Sequence, residues 1–159
     1  MLELFLFLSS KEKEILDLVI KAGYRVEENT PLCLLGKRYF GFVKKPQKTV
    51  VICTKNAKFM GNSSMPRISS YDENSRTKLI IRRAVRHEAV HVAQACNGSR
   101  LLNLIKNTKH IHSWYKRDAL KGSMAITNID EGREYEAYLM EDRPNLVVYA
   151  LKKYCIKKT

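Results

Sequence analysis

His87, Glu88 and His91 stand in the order His-Glu-x-x-His within the run Arg86-His87-Glu88-Ala89-Val90-His91. On a helix, residues four apart project from the same face. Two imidazoles placed this way can both reach one zinc ion. Glu88 follows the first histidine directly, which puts it beside the metal rather than on it. From there a carboxylate can take a proton from a zinc-activated water. The chemistry that this spacing serves is metal-assisted hydrolysis. The chain has only 4 histidines (His87, His91, His110 and His112), which leaves little room for a chance pairing.

The element that must carry the pair is a helix expected over 75–96, with Asn97-Gly98 as its stop. Its second half is apolar almost all round: Ala84, Val85, Ala89, Val90, Val92, Ala93, Ala95 and Cys96. A helix apolar on every side is a buried helix. Two histidines and a glutamate buried there need partners, because unpaired buried charge is costly. A metal supplies that partner. The competing reading is a structural helix whose histidines bond to backbone and whose Glu88 pairs with Arg82, Arg83 or Arg86.

A catalytic zinc usually has three protein ligands plus water. The downstream candidates for the third are His110, His112, Asp118, Asp130, Glu131, Glu134 and Glu136. The His-x-x-Gly-x-x-His extension of metzincins is absent, since Asn97 stands six after His91. A glutamate fits better. Glu134-Tyr135-Glu136-Ala137 falls on a helix expected over 130–142 and stopped by Pro144. Glu134 and Glu136 lie about 200° apart around such a helix, so only one of them can face the metal.

In these residues the chain resembles the gluzincins, metallopeptidases with His-Glu-x-x-His on one helix and a glutamate ligand on a later one. The stretch Arg133-Glu134-Tyr135-Glu136-Ala137 is similar to the Glu-x-x-Ala-Asp segment of the membrane-bound heat-shock and CAAX prenyl endopeptidase group. It also resembles the corresponding segment of small phage- and plasmid-associated peptidases. The resemblance covers only the two helices. It implies a zincin-like fold, Zn2+ held by His87, His91 and Glu134, Glu88 as the general base, and a peptide or protein substrate. It departs at Tyr138, which stands where the family has an aspartate that steadies a ligand histidine. The transmembrane spans of the membrane-bound members are missing, so their substrates do not carry over. Candidates for an oxyanion donor are Tyr115, Tyr138, His110 and His112. In zincins an edge strand commonly aligns the substrate by strand addition, and 49–53 is the candidate for that edge.

Ser9 and Glu12 form a capping box that opens a helix with Ile15, Leu16, Leu18, Val19 and Ile20 as its stripe and Gly23 as its stop. A short strand is expected over 24–28, and β-rich runs over 38–43 and 49–53 flank the turn 44–48. The composition of 55–74 is that of a loop. Short helices are expected over 101–106 and 114–120, and Asn145 is expected to cap a final helix. The pattern is α+β: a small antiparallel sheet, a buried motif helix and a helical C-terminal half. At 159 residues the chain is expected to be a single domain over 1–159.

Residues 1–8 are apolar but too short to span a bilayer, and they lack a basic start and a small-residue cleavage site. They are expected to be a buried strand or the start of the first helix. The four cysteines form no Cys-x-x-Cys pair, and Cys53 and Cys96 sit in apolar runs as buried thiols. Without an export signal or a dense cysteine framework, a reducing cytoplasm is expected. The net charge of +13 is uneven: 36–86 holds 13 basic and 2 acidic residues. Such a segment attracts acidic partners, nucleic acid among them. Arg38, Tyr39, Phe40 and Phe42 interleave cation and aromatic as single-strand binders do. A basic nucleic-acid-binding protein with a structural or vestigial metal is therefore the alternative.

Overall fold

The capping box at Ser9 forms as expected. In a computed structural model, which describes residues 1–62, 73–106, 114–124 and 130–156, Glu12 accepts hydrogen bonds from the Ser9 backbone N–H at 3.2 Å and from its hydroxyl. Helix α1 (Ser10–Lys21) follows, with Ile15, Leu16, Leu18 and Val19 buried. Gly23 takes the left-handed conformation (φ +87°) that turns the chain out of the helix. Residues 1–8 are neither strand nor helix start. Glu3–Phe7 is a 3-10 turn, held because Glu28 accepts from the Glu3 and Leu4 N–H groups at 2.8 and 2.6 Å.

Three strands make the sheet: β1 (Arg25–Glu28), β2 (Gly41–Lys44) and β3 (Thr49–Ile52), in the order β1-β3-β2. β3 pairs parallel with β1 and antiparallel with β2. The sheet is therefore mixed, not antiparallel. β3 is its centre and not its edge, which corrects the expectation for 49–53. All four β3 residues are buried. That agrees with the run Val50-Val51-Ile52, which lacks the polar alternation of a half-exposed strand. The edge beside the motif is β2.

Helix α2 (Thr54–Asn62) occupies the first part of the stretch expected to be loop. Its polar residues find tertiary partners that a composition argument cannot see. The Thr54 hydroxyl donates to Glu28 at 2.6 Å, and the Asn56 amide donates to the carbonyls of Cys33, Gly36 and Tyr39 at 2.8, 3.0 and 2.8 Å. The remainder of that loop, 63–72, lies outside the described residues.

Helix α3 (Glu73–Cys96) is the axis of the fold. It packs against α1, α2, the sheet, α5 (Glu131–Met140) and α6 (Pro144–Tyr154). Ile81, Val85, Ala89, Val90, Val92 and Ala93 join Leu16, Ile52, Met140 and Leu151 in the main core. Cys33, Phe42, Val51 and Cys53 form a smaller second cluster. Residues 101–105 are not helical as expected; Glu136 holds this segment through the N–H groups of Leu102 and Asn103. Helix α4 (Trp114–Met124) forms where a helix is expected and packs on α5. Pro144 itself opens α6, so Arg143 is the cap rather than Asn145.

The cysteines are not free thiols. Cys33 pairs with Cys53 and Cys96 with Cys155. The second bond ties the end of α3 to the end of α6. Pairing partners 20 and 59 residues apart are set by the fold and not by local spacing. Among the described residues no helix is long and apolar enough to cross a membrane.

Candidate metal centre

The apolar surround of α3 buries its polar face as well: His87, Glu88, His91 and Gln94 are all buried. The three arginines around the motif are engaged elsewhere. Arg86 pairs with Glu12 at 2.6 Å, Arg83 with Asp142 at 3.2 Å, and Arg82 donates to the Phe7 carbonyl at 2.8 Å. Among the described residues none of them pairs with Glu88, so the competing structural reading of the helix loses its proposed partner.

Asp130 caps α5 by accepting from the Arg133 N–H at 3.0 Å, which sets the phase of that helix. Glu134, one turn on, then meets both histidines. Its Oε1 lies 3.0 Å from His87 Nε2 and its Oε2 lies 3.0 Å from His91 Nε2. The two Nε2 atoms are 3.2 Å apart. Zinc–ligand bonds of about 2.0–2.1 Å at tetrahedral angles place ligand atoms about 3.3 Å from one another. The cluster is close to that spacing. Glu134 Oε2 is buried and, despite its nearness to His91, makes no hydrogen bond. An orphaned carboxylate oxygen between two imidazole nitrogens suits a cation, and the donor set suits zinc.

The far nitrogens are held in a way that supports this geometry. His87 Nδ1 is 3.1 Å from Glu141 Oε2, and His91 Nδ1 is 2.8 Å from Gln94 Oε1. Carboxylate and amide oxygens only accept, so each Nδ1 donates, and a cation at the cluster would take the place of any proton on Nε2 and meet its lone pair. Lys116 of α4 stands 3.2 Å from Glu141 Oε1. The carboxylate on the far nitrogen of His87 is thus Glu141, and not a group at position 138. Tyr138 instead packs its ring edgewise on His87, centroids 4.4 Å apart.

The charges pull strongly on one another. Burial disfavours the charged His87 ring, but Glu134 and Glu141 on its two nitrogens hold its pKa well above the usual imidazole range. Burial also pushes Glu134 up, yet its contacts with His87 and His91 keep it far below the usual carboxylate range. Glu88 is raised: burial outweighs the attraction of both histidines. Such perturbed groups cluster at functional sites. Above Glu88 runs the edge strand. A Cβ at Gly41 would lie 2.7 Å from Glu88 Cγ and 2.9 Å from its Oε1, so β2 approaches this closely only because residue 41 is glycine.

Among the described residues the remaining candidates do not join the cluster. Glu136 points away and accepts from Leu102, Asn103 and Gln94. Asp130 serves as a helix cap, and Asp118 and Glu131 are exposed. His110 and His112, and the side chain of Tyr115, lie outside the described residues. Glu141 and Gln94 escaped the sequence reading. Their signals are spacings: Glu141 is two turns after Glu134, and Gln94 is one turn after His91.

The aromatics of the basic segment are committed to packing. Phe42 is buried, Tyr39 meets it with centroids 5.9 Å apart, and Phe40 packs on the main core.

The chain belongs to a family described as a domain of unknown function (DUF8637), which spans residues 4–156. No curated protein and no solved structure matches the chain.

Proposed function

We propose that this chain is a zinc-dependent hydrolase, a zincin-like peptidase of the gluzincin type. The observation that carries the proposal is the convergence of His87 Nε2, His91 Nε2 and the Glu134 carboxylate, each pair within 3.2 Å. Bound there, zinc would supply a Lewis acid and a water of lowered pKa, near ~7. Glu88 accepts the proton of the attacking water and passes it to the leaving amine nitrogen. Its raised pKa brings it toward the range where one carboxylate can do both.

The edge of β2 is the substrate rail in this reading. Among the described residues no further strand pairs with β2, and an extended peptide would add to it beside Glu88. Lys44, Lys45 and Lys48 continue that edge with positive charge, which favours an acidic peptide or protein partner. The two disulfides favour an oxidising compartment over the cytoplasm.

The test pairs elemental analysis of gently purified protein with a proteolysis screen on unfolded proteins. About one zinc per chain is expected, together with cleavage that stops in Glu88→Gln. Protein that carries no metal and refuses added zinc would overturn the reading.

A further inference from the structure

Glu136 is a buried carboxylate that the proposed reaction does not use. It lies on α5, two residues from Glu134 and on the opposite side of that helix. Four hydrogen bonds converge on it from three donors. The Leu102 N–H lies 3.0 Å from both carboxylate oxygens, the Asn103 N–H 2.8 Å from Oε1, and Gln94 Nε2 2.9 Å from Oε2. Asn103 adopts a left-handed backbone (φ +53°), a conformation that asparagine tolerates better than most residues. Gln94 Nε2 also donates to the Arg133 carbonyl at 3.0 Å.

We infer that Gln94 and Glu136 are positioning residues that fix the tautomer of His91, and with it the lone pair that His91 offers the metal. The inference rests on the metal reading above. Glu136 and the Arg133 carbonyl can only accept, so the Gln94 amide must turn its NH2 toward them. Its oxygen then faces His91 Nδ1, 2.8 Å away. That oxygen requires a proton on Nδ1, so in the neutral ring it is Nε2, facing Glu134 and His87, that gives up its proton and offers its lone pair to a cation. Reversing the amide would set its oxygen against two acceptors, Glu136 and the Arg133 carbonyl, and its NH2 against the Nδ1–H of His91. The two histidines are thus steadied differently: His87 by a carboxylate, His91 by a neutral amide whose orientation a carboxylate sets. The segment 101–103 becomes part of the metal site through its N–H groups, although none of its side chains reaches the ligands.

The test uses Glu136→Gln and Gln94→Met in the full chain. Glutamine at 136 can offer an NH2, which allows Gln94 to invert; methionine at 94 removes the acceptor at similar volume. Nitrogen-15 NMR of the histidine rings in metal-free protein, at alkaline pH where an ordinary imidazole is neutral, reports the tautomer. Wild type is expected to show His91 as the Nδ1–H form, and both variants to shift it toward Nε2–H. Zinc affinity by chelator competition is expected to fall about 10- to 100-fold in each. A purely structural role would lower the melting temperature and leave the tautomer unchanged. An unchanged tautomer in both variants, with zinc affinity within about twofold of wild type, would overturn the inference. If Glu136→Gln does not fold, Gln94→Met decides. If wild type binds no zinc, the metal reading falls and the tautomer measurement alone judges the relay.

Discussion

Glu141 Oε2 lies 3.1 Å from Nδ1 of His87, on the far side of the ring from Glu134. A carboxylate on the distal nitrogen fixes ring orientation and raises ligand basicity. Glu141→Ala should therefore weaken zinc binding about 10- to 100-fold. Glu141→Gln, which still offers an acceptor, should lose less. Chelator competition measures both. Equal affinities in wild type and alanine variant would show that Glu141 only balances Lys116.

His87→Ala and His91→Ala should each lose the metal and the stability it lends, because ion binding favours the folded state. Affinity should also depend on pH. Glu134 and Glu141 hold a proton on metal-free His87 to an unusually high pH. Zinc must displace that proton, so binding weakens as pH falls below the raised His87 pKa and strengthens as pH rises through it. Titration at several pH values checks the sign. Affinity independent of pH across neutral and mildly alkaline solution would show that metal-free His87 holds no such proton.

Glu134→Ala should abolish zinc binding, whereas Glu136→Ala should only weaken it. The first faces both Nε2 atoms and the second meets only Gln94 and backbone N–H groups. Metal titration of the pair decides. Greater damage from Glu136→Ala would contradict the observed helix phase.

Glu88→Gln should keep zinc and the fold. Stability should hold or rise slightly, since a buried charge is gone. Turnover should drop roughly a hundred- to ten-thousand-fold, the range of general-base catalysis. Gly41→Ala should resemble it, because the added methyl must displace the Glu88 side chain. Retained turnover in both variants would place the base elsewhere.

Glu12 is buried and paired with Arg86 at 2.6 Å. Burial pushes its pKa up, but Ser9 and Arg86 more than reverse this, so the folded value lies below the ordinary carboxylate range. Its contribution is present above the unfolded pKa and disappears as pH falls through the folded one. Glu12→Gln leaves Arg86 short of a counter-charge and should cost roughly 3–5 kcal/mol at neutral pH. Denaturant melts at neutral and acid pH should show the gap between variant and wild type closing in acid.

Much of the site was legible locally because it is built on two helices. A four-residue spacing is enough to align His87 with His91. The resemblance at Glu134 to Ala137 singles out the glutamate that the structure brings to them. The capping box at Ser9, the long motif helix and the α+β character are likewise consequences of short-range pattern. What tertiary structure alone decided is who meets whom across the chain. The sequence contains 49–53 as a strand but not its neighbours, so its central place and mixed pairing emerge only when β1 and β2 flank it. Four cysteines allow three pairings, and only packing brings Cys33 to Cys53 and Cys96 to Cys155. Glu141 and the Gln94–Glu136 pair join the site through contacts 42 and 54 residues apart in sequence. Helical spacing aligns Gln94 with His91 and Glu141 with Glu134, but it does not name their partners across the chain, because the burial that makes those hydrogen bonds obligatory exists only in the folded chain.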